Sequence, residues 1–176
     1  MSDPIGGVLD ALQFAAQKHR DQRRKDLEAS PYINHPIALA NVLWREGGVT
    51  QPDVISAALL HDTIEDTDTT EAELRERFGK RIADMVMEVT DDKTLDKPTR
   101  KRLQITHAPK LSRGAKLVKL ADKICNLRDM AASPPKTWPR SRQREYFDWA
   151  KKVVDGLRGV HPGLERIFDE AYEGKP

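Results

Sequence analysis

The sequence predicts an all-α fold, a single compact helical bundle of about nine helices in one domain spanning residues 1–176. Two observations support the all-α prediction. Apolar residues recur at helical spacing along most of the chain, and no stretch of any length alternates as a β-strand does. The chain shows no internal repeat and no low-complexity tract, and 176 residues suit one domain with a buried core.

The composition excludes several classes of protein. Thirty basic and 28 acidic residues leave a net charge of +2, too even for nucleic-acid binding through the whole surface field. No apolar run approaches the roughly 20 residues of a membrane span, and residues 1–16 lack a secretory signal. The single Cys125 fits a reducing compartment. We therefore expect a cytoplasmic protein with no nucleic-acid or membrane partner, and the sequence leaves its oligomeric state open.

The first half of the chain divides into five predicted helices. Helical spacing begins at Ile5 and ends near His19, and Pro36 lies in the first turn of a second helix that Gly47 and Gly48 end. Thr50 is predicted to cap a third helix, which is apolar on nearly all sides up to Leu60. The fourth and fifth helices are predicted within residues 70–79 and 80–90, the fourth with a capping box at residues 70–73.

Breaker residues divide the second half. Residues 91–98 have no periodicity and are predicted to form a loop, followed by a short helix from Arg100 that ends before Pro109. A clean apolar stripe predicts a long helix over residues 115–128. Residues 133–139 are the longest cluster of breakers, and two helices are expected after them, one from near Arg140 and one ending near Ala171.

Residues 57–66 run from an apolar segment directly into His61-Asp62 and Glu65-Asp66. A neutral nitrogen beside an anionic oxygen suits a divalent metal of borderline hardness. If the helix continues through this segment, Glu65 lies one turn beyond His61 and Asp66 one turn beyond Asp62. The alternative interpretation is a helix that ends in an acidic turn, which leaves His61 unexplained.

Three further features have two interpretations each. His35 begins the second helix, where a lone histidine is more often a cap or surface residue than a metal ligand. Asp122 lies beside the apolar stripe of the long helix, and its partner is either a metal or one of the lysines of that helix. The basic run at residues 20–25 favours a solvated surface when composition is considered by itself. Sequence spacing does not decide between these interpretations.

Together, the four residues form a His-His-Asp-Asp set from three separate helices: His35, His61, Asp62 and Asp122. This set resembles the HD superfamily of metal-dependent phosphohydrolases, and Glu65-Asp66 narrows the resemblance to the hydrolase domain of the Rel/SpoT family. Further similar segments are residues 24–25, 31–36, 89–94, 116–123 and 126–128. The resemblance covers about residues 8–160 and is strongest to the stand-alone small alarmone hydrolases, especially the metazoan SpoT homologue.

The resemblance implies Mn²⁺ bound by His35, His61, Asp62 and Asp122, with Glu65 and Asp66 acting on the attacking water. By affinity Zn²⁺ binds such a mixed set more tightly, so the metal's identity depends on the resemblance. The implied activity is that of a guanosine-3′,5′-bis(diphosphate) 3′-pyrophosphohydrolase, which converts guanosine tetra- or pentaphosphate (ppGpp or pppGpp) to GDP or GTP and pyrophosphate.

Several phosphates on a small nucleotide substrate require cations, which gives the basic residues a function. The implied substrate-binding residues are Arg24, Lys25, Lys97, Asn126, Arg142 and Tyr146. Relatives also cleave adenosine analogues of the alarmone, and the metazoan type is associated with removal of the 2′-phosphate of NADPH. These are alternative activities, whereas a non-catalytic binding module is disfavoured by the intact Glu65-Asp66.

Overall fold

The computed structural model describes residues 3–26 and 28–176, and within them helices follow one another without a β-strand. One isolated bridge joins Arg23 and Pro31. The helices are α1 (Pro4–Lys18), α2 (Asn34–Asn41), α3 (Pro52–Leu60), α4 (Thr63–Asp66), α5 (Glu71–Phe78), α6 (Lys80–Val89), α7 (Lys97–His107), α8 (Arg113–Ala132), α9 (Arg140–Asp155) and α10 (Pro162–Glu173). A π-helical turn (Val42–Glu46) extends α2. The all-α prediction is confirmed, and the expected count agrees because α4 is a single turn.

Local sequence signals account for several helix ends. Asp3 caps α1 by accepting a hydrogen bond from the Ile5 N–H at 3.1 Å, and α1 ends before His19 as predicted. Thr70 accepts from the Glu73 N–H at 3.2 Å, which confirms the predicted cap of α5. Gly79 then has φ +86°, a value that favours glycine, so α6 begins immediately after α5.

Two predicted helix starts were wrong. The N-cap of α3 is Gln51 and makes no side-chain bond, so Thr50 does not cap it. Pro52 at the first position, where its missing N–H costs nothing, starts this helix instead. Helix α7 begins at Lys97, inside the segment expected to be a loop, because Pro98 also suits a first turn. None of the described helices combines the length and apolar character that a membrane span requires.

Helices α3 and α8 form the centre of the core. Every residue of α3 from Val54 to Leu60 is buried, and α3 packs against α1, α2, α6 and α8. Helix α8 also packs against α9 and α10. A Cβ atom at Gly114 would lie 2.3 Å from Met85 Sδ, so α8 approaches α6 closely at this glycine and a larger residue would require the Met85 side chain to move. The residues that end α3 and line α8 are therefore held by the most buried part of the protein.

Candidate active site

The chain breaks between α3 and α4 at His61 and Asp62, so the helix does not continue through residues 57–66 as one interpretation expected. Two side chains donate hydrogen bonds to backbone carbonyl groups in the last turn of α3. His61 Nδ1 lies 2.8 Å from the Ala58 carbonyl oxygen, and the Thr63 hydroxyl donates to the Leu60 carbonyl at 2.7 Å. Because these carbonyls are engaged by side chains, the last turn of α3 is capped and the chain turns sharply.

This turn directs His61 Nε2 into the site. The bond from Nδ1–H to Ala58 occupies one ring nitrogen, so Nε2 faces the site and offers its lone pair to a cation when the ring is neutral. Nε2 is buried and has no hydrogen-bond partner in the part of the chain that the structure describes. It lies 2.9 Å from Asp62 Oδ2 and 3.8 Å from Asp122 Oδ1. A histidine oriented by a backbone carbonyl, with its other nitrogen facing carboxylates, is the usual arrangement of a metal ligand.

Side chains from α2 and α8 complete the cluster. His35, near the start of α2, places Nε2 3.1 Å from Asp122 Oδ1. One potential ligand atom from each of His35, His61 and Asp62 lies within 4.8 Å of the other two. His35 and His61 are 4% and 5% exposed, so neither is a surface cap. Two imidazole nitrogens and the Asp62 carboxylate therefore converge as a set that could hold a divalent cation, and the Asp122 carboxylate lies beside both histidines.

The electrostatics of the cluster also favour a cation. Burial lowers the pKa of His61, but the carboxylates of Asp62 and Asp122 outweigh burial and raise it to about 9. Burial raises the pKa of Asp62, yet His61 holds that pKa well below its ordinary value. The pKa of Asp122 is likewise lowered despite burial, chiefly by Lys123 and His35. Both carboxylates are thus ionised and available as ligands at neutral pH.

Asp122 has a lysine partner, as one of the two interpretations of the sequence expected, and it also contacts a histidine of the cluster. Its Oδ1 atom faces His35 and accepts a hydrogen bond from Asn126 Nδ2 at 2.7 Å. Its Oδ2 atom forms an ion pair with the buried Lys123 at 3.1 Å. Lys119, one turn earlier, donates instead to the Val89 carbonyl at 3.1 Å. Asp122 is therefore both a member of the His/Asp cluster and a partner of a buried lysine.

The two candidate catalytic carboxylates have different surroundings. Glu65 lines the cavity of the His/Asp cluster, where burial and the charge of Asp62 raise its pKa to about 7. The N–H of Asp91 donates to Glu65 Oε2 at 3.1 Å. Both oxygens of Asp66 are engaged, Oδ1 by Lys93 Nζ at 2.5 Å and Oδ2 by Gln22 Nε2 at 3.1 Å. Glu65 is therefore suited to accept a proton near neutral pH, whereas Asp66 is held in one orientation.

Two joined cavities surround these groups. The inner cavity, of about 190 Å³, is lined by the His/Asp cluster and by Glu65. It adjoins an outer cavity of about 510 Å³, which lies between the segment before α2 and the carboxyl end of α8. The residues that line both cavities are Arg24, Tyr32, His35, Asp66 and Asn126. A ligand of nucleotide size thus has a continuous path from the outer cavity to the His/Asp cluster.

Among the predicted substrate-binding residues, Arg24 and Asn126 line both cavities, and Lys25 and Tyr146 line the outer one. Arg24 forms an ion pair with Asp129 at 2.7 Å. Lys97 Nζ and Arg142 Cζ lie 5.8 Å and 4.1 Å from the centre of the Trp138 ring, which lines the outer cavity. The structure therefore brings the predicted cations to one rim, although from α7, α9 and the segment before α2.

Several contacts of the site were not predicted. The Tyr32 hydroxyl donates to Asp62 Oδ2, and burial with the charge of Asp62 raises the pKa of Tyr32 well above its ordinary value. Lys123 Nζ lies 4.4 Å from the centre of the Trp149 ring. The Trp138 ring packs against Arg142 of the basic rim. Tyr32 follows Pro31 within a segment used for the resemblance, but no sequence spacing indicates its partner 30 residues later.

An all-α bundle with a buried His/Asp cluster at the base of a basic cavity defines a metal-dependent phosphohydrolase class of site. The model of the HD domain family matches residues 11–149. The chain therefore belongs to the HD domain family, as the resemblance predicted.

Individual relatives indicate a smaller group within the HD domain family. The Xenopus tropicalis guanosine-3′,5′-bis(diphosphate) 3′-pyrophosphohydrolase MESH1 is 54% identical over 98% of this chain and 96% of its own length. The Homo sapiens protein of the same name is 53% identical over 98% of this chain and 97% of its own length. The solved structure of a metazoan ortholog of SpoT, described as hydrolysing ppGpp and acting in starvation responses, superposes with a TM-score of 0.94 at 48% identity. That superposition covers 98% of this chain and 97% of the solved one.

Proposed function

We propose that this protein is a metal-dependent guanosine-3′,5′-bis(diphosphate) 3′-pyrophosphohydrolase, which converts ppGpp or pppGpp to GDP or GTP and pyrophosphate. The observation that carries the proposal is the buried His/Asp cluster with Glu65 beside it, at the base of a cavity with a basic rim. Relatives that bear this activity in their names align over nearly the whole chain and support it.

The metal is proposed to be Mn²⁺, with His35, His61, Asp62 and Asp122 as ligands. The buried His61 Nε2, which has no hydrogen-bond partner among the described residues, and the two ionised carboxylates support this ligand set. When bound, a divalent cation lowers the pKa of a water molecule and neutralises phosphate charge. Tyr32 and Asn126 keep Asp62 and Asp122 in place by donating hydrogen bonds to them.

In the proposed reaction, water attacks the phosphorus attached to the ribose 3′ oxygen, and the P–O3′ bond breaks. Glu65 removes a proton from the attacking water, because its pKa of about 7 allows it to be ionised and still basic near neutral pH. The water oxygen becomes part of the released pyrophosphate, and the ribose 3′ oxygen takes up a proton from solvent to leave as a hydroxyl group. Glu65 returns its proton to solvent. Asp66, fixed by Lys93 and Gln22, orients the same water.

The basic rim binds the remaining phosphates. Arg24, Lys25, Lys97 and Arg142 supply positive charge, and Trp138 and Tyr146 supply aromatic faces beside it. Arginine binds phosphate through paired N–H donors, and each such charge-assisted bond is stronger than a neutral one. Asn126 lines both cavities and is proposed to contact the nucleoside, although its amide nitrogen also bonds Asp122.

We also propose the extent of the domain and the cellular compartment. Residues 1–176 form one domain, whose motif-bearing core lies at about residues 8–160. The family match at residues 11–149 falls inside that core and supports it. The protein acts in the cytoplasm on a small nucleotide, consistent with a net charge of +2 and a single cysteine.

A substrate panel with product identification tests the function. Purified protein with Mn²⁺ is expected to convert ppGpp to GDP and pyrophosphate, and pppGpp to GTP and pyrophosphate. The panel includes an adenosine analogue of the alarmone and NADPH, since orthophosphate release from NADPH identifies a phosphomonoesterase instead. Absence of ppGpp turnover with Mn²⁺, Mg²⁺, Zn²⁺ and Co²⁺ would refute the proposal.

A further inference from the structure

His19, immediately after α1, is a buried titratable residue outside both cavities, 2% exposed. Its ring packs against the Tyr32 ring with centroids 4.9 Å apart. Its Nδ1 atom lies 2.7 Å from Gln22 Oε1. A buried imidazole with one specific polar contact limits the conformations of the side chain that it touches.

The direction of these hydrogen bonds follows from Asp66, which has no proton to donate when ionised. The Gln22 atom that faces Asp66 Oδ2 at 3.1 Å must therefore be the amide nitrogen. The amide oxygen of Gln22 then faces His19, so His19 Nδ1 carries the proton and donates it. His19 Nε2 is buried and without a hydrogen-bond partner among residues 3–26 and 28–176. The only bond that this ring makes among these residues thus orients the amide of Gln22.

Tyr32 connects the same residues to the His/Asp cluster. The Tyr32 N–H donates to the Gln22 carbonyl at 3.0 Å, which fixes the two segments to each other. The Tyr32 hydroxyl donates to Asp62 Oδ2. We call His19, Gln22 and Tyr32 the His19 brace, because together they contact two carboxylates of the site, Asp66 and Asp62.

We propose that His19 is a positioning residue for the hydrolysis, acting through Gln22 to fix the Asp66 carboxylate. This inference rests on the proposed function, in which Asp66 orients the attacking water. Lys93 contacts the other oxygen of Asp66 but is half exposed on its side-chain surface, so its long side chain restrains Asp66 less. The brace supplies the rigid contact because its members are packed against one another.

A purely structural role for His19 makes a different prediction. If His19 only fills space under Tyr32, then any ring of similar size preserves turnover. If His19 acts through Gln22, then phenylalanine fails and a smaller side chain with an N–H donor near the Nδ1 position succeeds. His19→Phe keeps the ring and removes the donor, whereas His19→Asn removes the ring and keeps the donor.

Four variants are compared for ppGpp hydrolysis and thermal unfolding. Gln22→Met and His19→Phe are expected to lower kcat by about tenfold to a hundredfold with KM changed little, the range typical of a lost outer contact. His19→Asn is expected to retain most of kcat even if its melting temperature falls. Gln17→Met, the same exchange at an exposed position of α1, is the matched control and is expected to behave like the unmodified protein.

A crystal structure of His19→Phe gives a readout that does not depend on activity. The Gln22 amide nitrogen is expected to lie beyond hydrogen-bond distance of Asp66 Oδ2. An unchanged Gln22–Asp66 contact, an unchanged kcat for Gln22→Met, or a kcat for His19→Phe above that of His19→Asn would each overturn the positioning role. If the unmodified protein does not hydrolyse ppGpp, the proposed function fails, and the crystal structure still decides whether His19 fixes Gln22.

Discussion

The inner and outer cavities differ in how their charged groups are held. In the inner cavity the charges are buried and in mutual contact, as in the ion pair of Asp122 with Lys123. At the basic rim the cations are more accessible, and Lys25 and Arg142 are exposed. Buried charges must be paired to be stable, whereas exposed charges are solvated with or without a partner. Substitution of a paired, buried charge of the inner cavity should therefore affect the fold or the metal, whereas substitutions at the rim should affect substrate binding.

The largest effect is expected for Asp122→Ala. Its removal takes away a proposed ligand and leaves the buried Lys123 without its ion pair. Breaking a buried pair in this way typically lowers the free energy of unfolding by about 3–5 kcal/mol. Bound metal per chain, measured by mass spectrometry, and ppGpp turnover are both expected to fall below detection. Full metal content in a folded Asp122→Ala protein would remove Asp122 from the ligand set.

The second largest effect is expected for the two carboxylates of the inner cavity that are proposed to act on water rather than to bind the metal. Glu65→Gln and Asp66→Ala are each expected to lower turnover by about 10²- to 10⁴-fold, because positioned proton-transfer groups contribute about that much. Metal content and the melting temperature are expected to stay close to those of the unmodified protein. Asp68→Ala, an exposed carboxylate two residues later, is the control and should retain full activity. Equal metal loss in Asp66→Ala and Asp122→Ala would contradict the division of roles.

A smaller effect is expected at the rim. Arg142→Ala should raise KM for ppGpp by about tenfold to a hundredfold with little change in kcat, as expected for loss of one charge-assisted bond. Arg142→Lys should raise KM nearly as much as Arg142→Ala does, because a lysine does not reproduce the planar contact of the guanidinium group with Trp138. Steady-state kinetics measure both values, with Arg140→Ala as the matched control. A fall in kcat without a change in KM would place Arg142 in the catalytic step.

The smallest effect is expected where an ion pair lies outside both cavities. Arg158 pairs with Asp155 and Asp169 on the surface, and the side chain of Asp169 is 54% exposed. Arg158→Ala should lower the free energy of unfolding by less than about 1 kcal/mol in urea titration. Its ppGpp kinetics should be unchanged. A loss of activity here would show that total charge, rather than the rim, governs substrate binding.

The residues of the inner cavity were easier to predict from the sequence than the way in which they converge. His35 and His61 lie near helix ends that have clear signals, namely Pro36 beside His35 and the apolar run before His61. Their convergence was inferred from a resemblance, because spacing within one helix cannot show which distant helix packs against it. The break after Leu60 was missed because it depends on side-chain bonds from His61 and Thr63 to carbonyl groups.

The rim and the His19 brace were harder to predict for a different reason. Tyr32, Lys123 and Trp138 each make a contact with a residue far away in the chain, namely Asp62, Trp149 and Lys97 respectively. Each of these residue types is also common in ordinary helical proteins. The early start of α7 at Lys97 was missed because residues 91–98 show no helical period. Periodicity reports which side of a helix is buried, but the rim consists of residues that are only partly buried.

Cations lie against two of the tryptophan rings, so the intrinsic fluorescence of these rings is expected to depend on the positions of the cations. Lys101 and Lys123 lie 4.8 Å and 4.4 Å from the centre of the Trp149 ring, and Arg142 lies 4.1 Å from that of Trp138. Indole emission depends on nearby charge, so a phosphate that draws these cations away changes the fluorescence. The third tryptophan, Trp44, lies in the π-helical turn and is 53% exposed. A phosphorylated ligand that enters beside Trp138 or Trp149 is therefore expected to change the tryptophan emission, and the change can be measured without a label.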